Sequence, residues 1–180
     1  VFKKIGGYDE ELIRNQDDEF NFRLIQNGGK IWLDPSIKSA YYPRTSLLKL
    51  FKQYFQYGFY KIRVMQKRKG FASLRHIIPG VFVLSILISS IILNFTEIQI
   101  PFYLIAGSYV SFNAGASLFQ FIYNLKHFFS ILLLPITYFI MHFAYGIGSL
   151  WGLVYFINKW GDTKINDYHF NREKFAKAKA

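Results

Sequence analysis

Hydrophobic and polar positions change rhythm three times along this chain. From Phe20 to Ile25, Phe20, Leu24 and Ile25 fall at helical spacing behind an acidic triplet, Asp17-Asp18-Glu19. Asn15 is placed to cap such a helix, and Asn27-Gly28-Gly29 to stop it. Next, "KIWLDPSIKSAYYPR" alternates like strand sequence: Ile31 and Leu33 flank Trp32, Pro35 makes a turn, and "IKSAYY" offers a second short strand ended by Pro43. From Leu47 the period returns to 3.6. Lys49, Lys52, Gln53, Gln56, Tyr60, Arg63 and Lys67 share one face of a helix; Leu50, Phe51, Tyr54, Gly58, Ile62 and Met65 share the other. Beyond Arg75 the rhythm disappears into apolar runs.

The first run, Ile77 to Thr96, has no charge over 20 residues, the length that crosses about 30 Å of hydrocarbon. Pro79 and Gly80 fall in its first turn, where proline is tolerated. A buried core helix of this length would carry a polar stripe, and none is present. Two more uncharged stretches follow, Ile98 to Leu125 and Phe128 to Asn158. In the second stretch Gly107, Gly115 and several serines would let helices approach closely. In the third, Pro135 begins or kinks the span, and Tyr155 and Trp160 lie where interfacial aromatics sit. His142 reads as a packed residue bonded to a neighbouring helix, and His76 as interfacial. His127 and His169 have no neighbours suggesting a metal.

Charge sharpens this division. Residues 1–76 carry 15 basic and 7 acidic side chains, residues 77–158 one of each, and residues 159–180 six and three. No acid lies between Ser36 and Thr96, so the positive-inside rule puts the front on the cytoplasmic face. Three full spans would then put the basic tail outside, against the same rule. With no cysteine, disulfides and thiolate metal sites are excluded. The chain opens on Val1 in sequence resembling a domain interior, and a fragment of a longer protein is expected. Four parts result: 1–45, soluble front; 46–75, basic amphipathic connector; 76–158, membrane region of two to three helices; 159–180, basic tail.

The connector supports three readings. Its cations can rest on anionic lipid with the helix flat in the interface. Its polar face can instead close a site belonging to the front. Interleaved basic and aromatic residues also suit single-stranded nucleic acid, which an adjoining span makes the weakest of the three; no nucleic-acid partner is expected. The acidic triplet has two readings. Acids in a first helical turn are stabilised by the macrodipole, by about 0.3–1 kcal/mol each. A carboxylate at a loop end can also act as a general base. These residues alone leave both open.

"GGYDEEL…NQDDEFNFRLIQNGGKIWLDPSI…YYPR" resembles the C-terminal half of a family 2 glycosyltransferase catalytic domain, of the bacterial succinoglycan-biosynthesis type. The likeness covers about residues 1–70 and continues loosely into the membrane part. It implies an α/β fold, the C-terminal half of a Rossmann-like GT-A domain, ahead of the helical membrane region. The implied activity is inverting transfer from a nucleotide-sugar to a lipid-linked or polysaccharide acceptor, by a multi-pass protein of the inner membrane with its catalytic part on the cytoplasmic face. Bacterial exopolysaccharide or cell-surface glycan synthesis is the implied setting. The family's catalytic-base element resembles Gln16-Asp17, giving Asp17 the role of base and Asp18 that of fallback. "GGYDE" is similar to a loop near donor and acceptor, which makes Gly6, Gly7 and Asp9 candidate substrate contacts. Gln53, Gln56 and Tyr57 fall where processive members carry a Gln-x-x-Arg-Trp element, and depart from it at Gln56 and Tyr57. The resemblance also implies a divalent metal, Mg or Mn, with ligands outside this chain. The alternative is a non-enzymatic membrane scaffold or transporter subunit whose acids only cap a helix.

Overall fold

The computed structural model describes residues 1–42, 45–69, 74–123 and 132–165. Pro43, His127, His169 and the tail beyond Ile165 lie outside them. Among the described residues the secondary structure is helical: α1 (Phe2–Ile5), α2 (Gln16–Gln26), α3 (Leu47–Lys67), α4 (Ile78–Phe95), α5 (Ile100–Tyr123) and α6 (Leu134–Tyr155), with single 3-10 turns at Leu74–His76 and Ile157–Lys159. The expected α/β architecture is therefore corrected: the described residues contain no strand. Residues 30–42 show why alternation misled. A strand exists only against a partner that takes its backbone hydrogen bonds. Here the segment has neither ladder nor covering layer: Ile31 is 52% exposed and Trp32 89%. Only the turn at Pro35 forms as read, with Ser36 N–H and Ile37 N–H donating to the Asp34 side chain and carbonyl at 2.9 and 3.2 Å.

α2 spans the expected residues. It stops where Gly28 turns left-handed (φ +77°) and Gly29 N–H returns to Leu24 O at 2.9 Å. α3 starts on Ser46, whose hydroxyl accepts from Lys49 N–H at 3.2 Å. Pro79 and Pro135 sit in the first turns of α4 and α6, so Pro135 begins its helix. Of the described helices, α4 is the one long and apolar enough to cross a membrane by length and composition. α5 and α6 are also free of charged residues.

The framework is the pair α3–α6. At Gly148 a Cβ would lie 2.1 Å from Phe55 O, at Gly58 2.1 Å from Tyr145 O, and at Gly152 2.6 Å from Phe59 O. These glycines let two backbones touch. Gln66 Nε2 continues the seam, donating to Phe156 O at 2.8 Å. Numbers rise together on both helices, so they run alongside in the same direction. α4 meets the other side of α6, where Gly146 faces Pro79 O and Gly80 faces Ser149 Oγ. α5 reaches α6 through Asn113 Nδ2 donating to Pro135 O at 3.0 Å and a Tyr109 hydroxyl–His142 Nδ1 contact of 3.2 Å. His142 thus does bond to a neighbouring helix. The glycines expected to permit close packing, Gly107 and Gly115, face open space instead.

α3 and α6 share one orientation along the stretch where they touch.

Candidate functional site

The front is held to α3 by charge. Asp9 is fully buried and pairs with Lys67, whose side chain is 2% exposed; its Oδ1 also accepts from Glu11 N–H at 3.0 Å. Glu11 receives Arg63 at 2.9 Å, Lys67 at 2.8 Å and Lys159 at 2.5 Å. Burial alone would raise the Glu11 carboxyl, but hydrogen bonds from Arg63, Lys159 and Lys67 hold it down at about 2. Arg63, fully buried, also reaches Asp162 at 2.7 Å and the carbonyls of Lys159 and Asp162. The segment after α6 therefore returns to the same end of α3 as the acidic loop of the front.

The acidic triplet divides its labour. Glu19 is buried and forms an i,i+4 pair with Arg23 at 2.8 Å. Arg23 in turn donates to the carbonyls of Ile5 and Gly7, fixing the glycine pair. Asp18 joins α2 to α3 through Lys61 and through Arg68 at 3.0 Å. Burial works against its charged form, but Lys61 and Arg68 outweigh burial and lower its pKa. A carboxylate engaged by two cations is a poor proton acceptor. Asp17 is exposed and forms no hydrogen bond or ion pair among the described residues. It follows Asn15, which holds φ +62° without capping the helix. Instead Asn15 Nδ2 donates to Tyr57 O at 3.1 Å. A non-glycine residue in this region is sustained only by surrounding contacts; here the contact fixes the start of α2 against the middle of α3.

The predicted site residues fall into two groups. Gln53, Gln56 and Tyr57 share a stretch of α3 facing the residues before α2. Gln56 Oε1 accepts from Arg14 Nε at 3.1 Å, and Gln53 Nε2 donates to the Tyr57 hydroxyl at 2.8 Å. Arg14, Lys49, Lys52, Gln53 and Gln56 line a cavity of about 340 Å³. Asp17 is three residues from Arg14 and is not in that lining. Gly6, Gly7 and Asp9 are buried at the Lys67 end of α3, 11 residues beyond Gln56, or about 16 Å along the helix. There Asp9 is engaged by Lys67 and Glu11 N–H and organises the loop. Sequence reasoning did not foresee Arg14, Lys49 and Lys52 as cavity walls. For Lys49 and Lys52 the signal was the absence of any acid between Ser36 and Thr96, a stretch that does not include Arg14. Among the described residues no three His, Asp or Glu side chains come together to hold a metal.

Two curated proteins are similar to this chain. The succinoglycan biosynthesis protein ExoA of Rhizobium meliloti (strain 1021) is 40% identical over 79 residues, covering 44% of this chain and 24% of that protein. The dolichyl N-acetyl-alpha-D-glucosaminyl phosphate 3-beta-D-2,3-diacetamido-2,3-dideoxy-beta-D-glucuronosyltransferase of Methanococcus voltae is 36% identical over 89 residues, 48% of this chain and 27% of that protein. The chain thus spans about a quarter of the length of each relative. No family model matches it, and no solved structure does.

Proposed function

We propose, from the relationship of this chain to the family 2 glycosyltransferases, that it is part of a membrane-anchored enzyme of exopolysaccharide or surface-glycan synthesis. The enzyme moves a sugar from a nucleotide-sugar to a lipid-linked or glycan acceptor, with inversion. The observation that carries this reading is the similarity to a glycosyltransferase combined with Asp17 standing unengaged beside two acids that are committed to structure. In the proposed step the Asp17 carboxylate takes the proton of an acceptor hydroxyl. The hydroxyl oxygen bonds to the anomeric carbon, and the bond from that carbon to the diphosphate oxygen breaks. Positioning by the Asn15–Tyr57 tie supports this role.

The apolar α4 anchors the enzyme, and the acid-free basic stretch before it supports a cytoplasmic face. In the same proposal α5 and α6, which carry no charged residue, complete a multi-pass region.

The test is Asp17→Asn in the full-length protein, assayed in membranes with radiolabelled nucleotide-sugar. Transfer should fall by a factor of about 100 or more while the melting temperature holds. Transfer at the wild-type rate would leave the scaffold reading, in which the acids only begin a helix.

A further inference from the structure

The cations of α3 are used unequally. Of the six between Lys49 and Arg68, four have carboxylate partners: Lys61 and Arg68 on Asp18, Arg63 on Glu11 and Asp162, Lys67 on Asp9 and Glu11. Lys49 and Lys52 have none among the described residues, and both are exposed. With Arg14 they line the 340 Å³ cavity, whose other walls are Gln53 and Gln56; no carboxylate borders it. Arg14 is aimed by its Nε bond to Gln56. Three like charges around one cavity repel each other. Lys49 and Lys52 also occupy the first two turns of α3, where the helix end is itself positive and no acid sits in the first turn. A bound anion relieves both costs.

A second cavity, of about 440 Å³, shares Gln53 with the first and extends towards the start of α6. Leu50, Tyr54, Leu133 and Thr137 are among its walls, and its lining is predominantly apolar. A cationic pocket and an apolar groove thus meet at one buried side chain, Gln53, beside the apolar helix α6.

We propose that the two cavities together bind a lipid that ends in a phosphate or diphosphate ester. The phosphate lies among Arg14, Lys49 and Lys52, and the chain follows the groove between α3 and α6. A terminal phosphate carries close to two negative charges near neutrality, and a diphosphate carries more. A phosphodiester headgroup of bulk lipid carries one. Three cations match the former. Identifying this lipid as the carrier of the sugar acceptor rests on the glycosyltransferase reading; the binding site itself does not.

The test uses the full chain in nanodiscs of zwitterionic lipid, with no nucleotide-sugar present. Binding of a polyprenyl phosphate is compared with that of the matching polyprenol, phosphatidylglycerol and inorganic phosphate. Lys49→Gln and Lys52→Gln are exposed changes to another good helix former, and Lys30→Gln serves as a surface control. Polyprenyl phosphate should bind tightest, and its dissociation constant should rise about tenfold for each of Lys49 and Lys52 replaced. Lys30→Gln should leave it unchanged. Equal binding of polyprenol, or no response to the two lysines, overturns the site. Equal competition by phosphatidylglycerol or inorganic phosphate overturns the choice of ligand. If binding follows the lysines but the full-length protein, assayed separately with nucleotide-sugar, transfers sugar to no acceptor, the site stands and the transferase reading falls. If in that assay transfer to a lipid-borne acceptor keeps its rate and KM in the full-length double variant, the transferase stands and the site falls.

Discussion

Lys67→Met would test the junction between the front and α3 most severely. The change keeps side-chain length and helix propensity but removes the charge. Asp9, fully buried, would keep one hydrogen bond, from Glu11 N–H, and lose its cation. Glu11 would keep Arg63 and Lys159, so the damage concentrates on Asp9. Removing one partner of a buried pair costs about 3–5 kcal/mol, because the remaining charge is stranded away from water. For a chain of this length each kcal/mol shifts the midpoint by about 2–4 °C, so a fall of about 10 °C is expected. The added variant Asp9→Asn should restore much of it, since a neutral amide needs no counter-ion. Thermal unfolding of purified protein in detergent, with Lys30→Met as control, measures both. A Lys67→Met protein that melts with the control, or a double variant no more stable than Lys67→Met alone, would show that Asp9 is not stranded by loss of the lysine.

Gly148→Ala should destabilise the α3–α6 seam by about 1–3 kcal/mol through forced backbone separation, whereas Gly107→Ala, with open space around its Cβ, should be neutral or gain up to about 1 kcal/mol of helix propensity; denaturant titration of the two compares them directly. Asp18→Asn should loosen α2 from α3 by about 1 kcal/mol, as befits a half-exposed pair, and should raise hydrogen exchange in residues 16–26. Glu11 has a folded pKa of about 2 against an ordinary 4.5, so its ion pairs stabilise fully above 4.5 and are lost as pH falls towards 2. Melting temperature measured across that window should slope less steeply in Glu11→Gln than in the wild type.

Helix positions were legible because their signals are local. The stop at Asn27-Gly28-Gly29 and the prolines of α4 and α6 act within a turn of where they stand in sequence, whereas Asn15, read as a cap, gives its side chain to Tyr57 O instead. What failed depended on partners. Alternation over Ile31–Leu33 carries no information about whether a second strand is present. The amphipathic pattern of α3 was real, but its last turns are buried all round, because Asp9, Glu11, Asp18 and Asp162 come from distant parts of the chain to meet Lys61, Arg63, Lys67 and Arg68. Spacing likewise could not show that Gly148 and Gly152, rather than Gly107 and Gly115, carry the close packing. In the candidate site, the resemblance pointed to Asp17, and the structure adds the contrast that Asp18 and Glu19 are committed elsewhere. It also separates Asp9 from the glutamines of α3.

The pairing along α3 bears on how the molecule meets charged surfaces. Its sequence pI of about 9.7 counts every lysine and arginine equally, yet the second half of this helix turns its positive groups inward onto the chain's own acids. The outward charge of α3 is concentrated at its opening turns, on Lys49 and Lys52. A cation-exchange resin or an anionic vesicle therefore meets one small cationic spot on this helix where a uniformly basic rod would be inferred from composition.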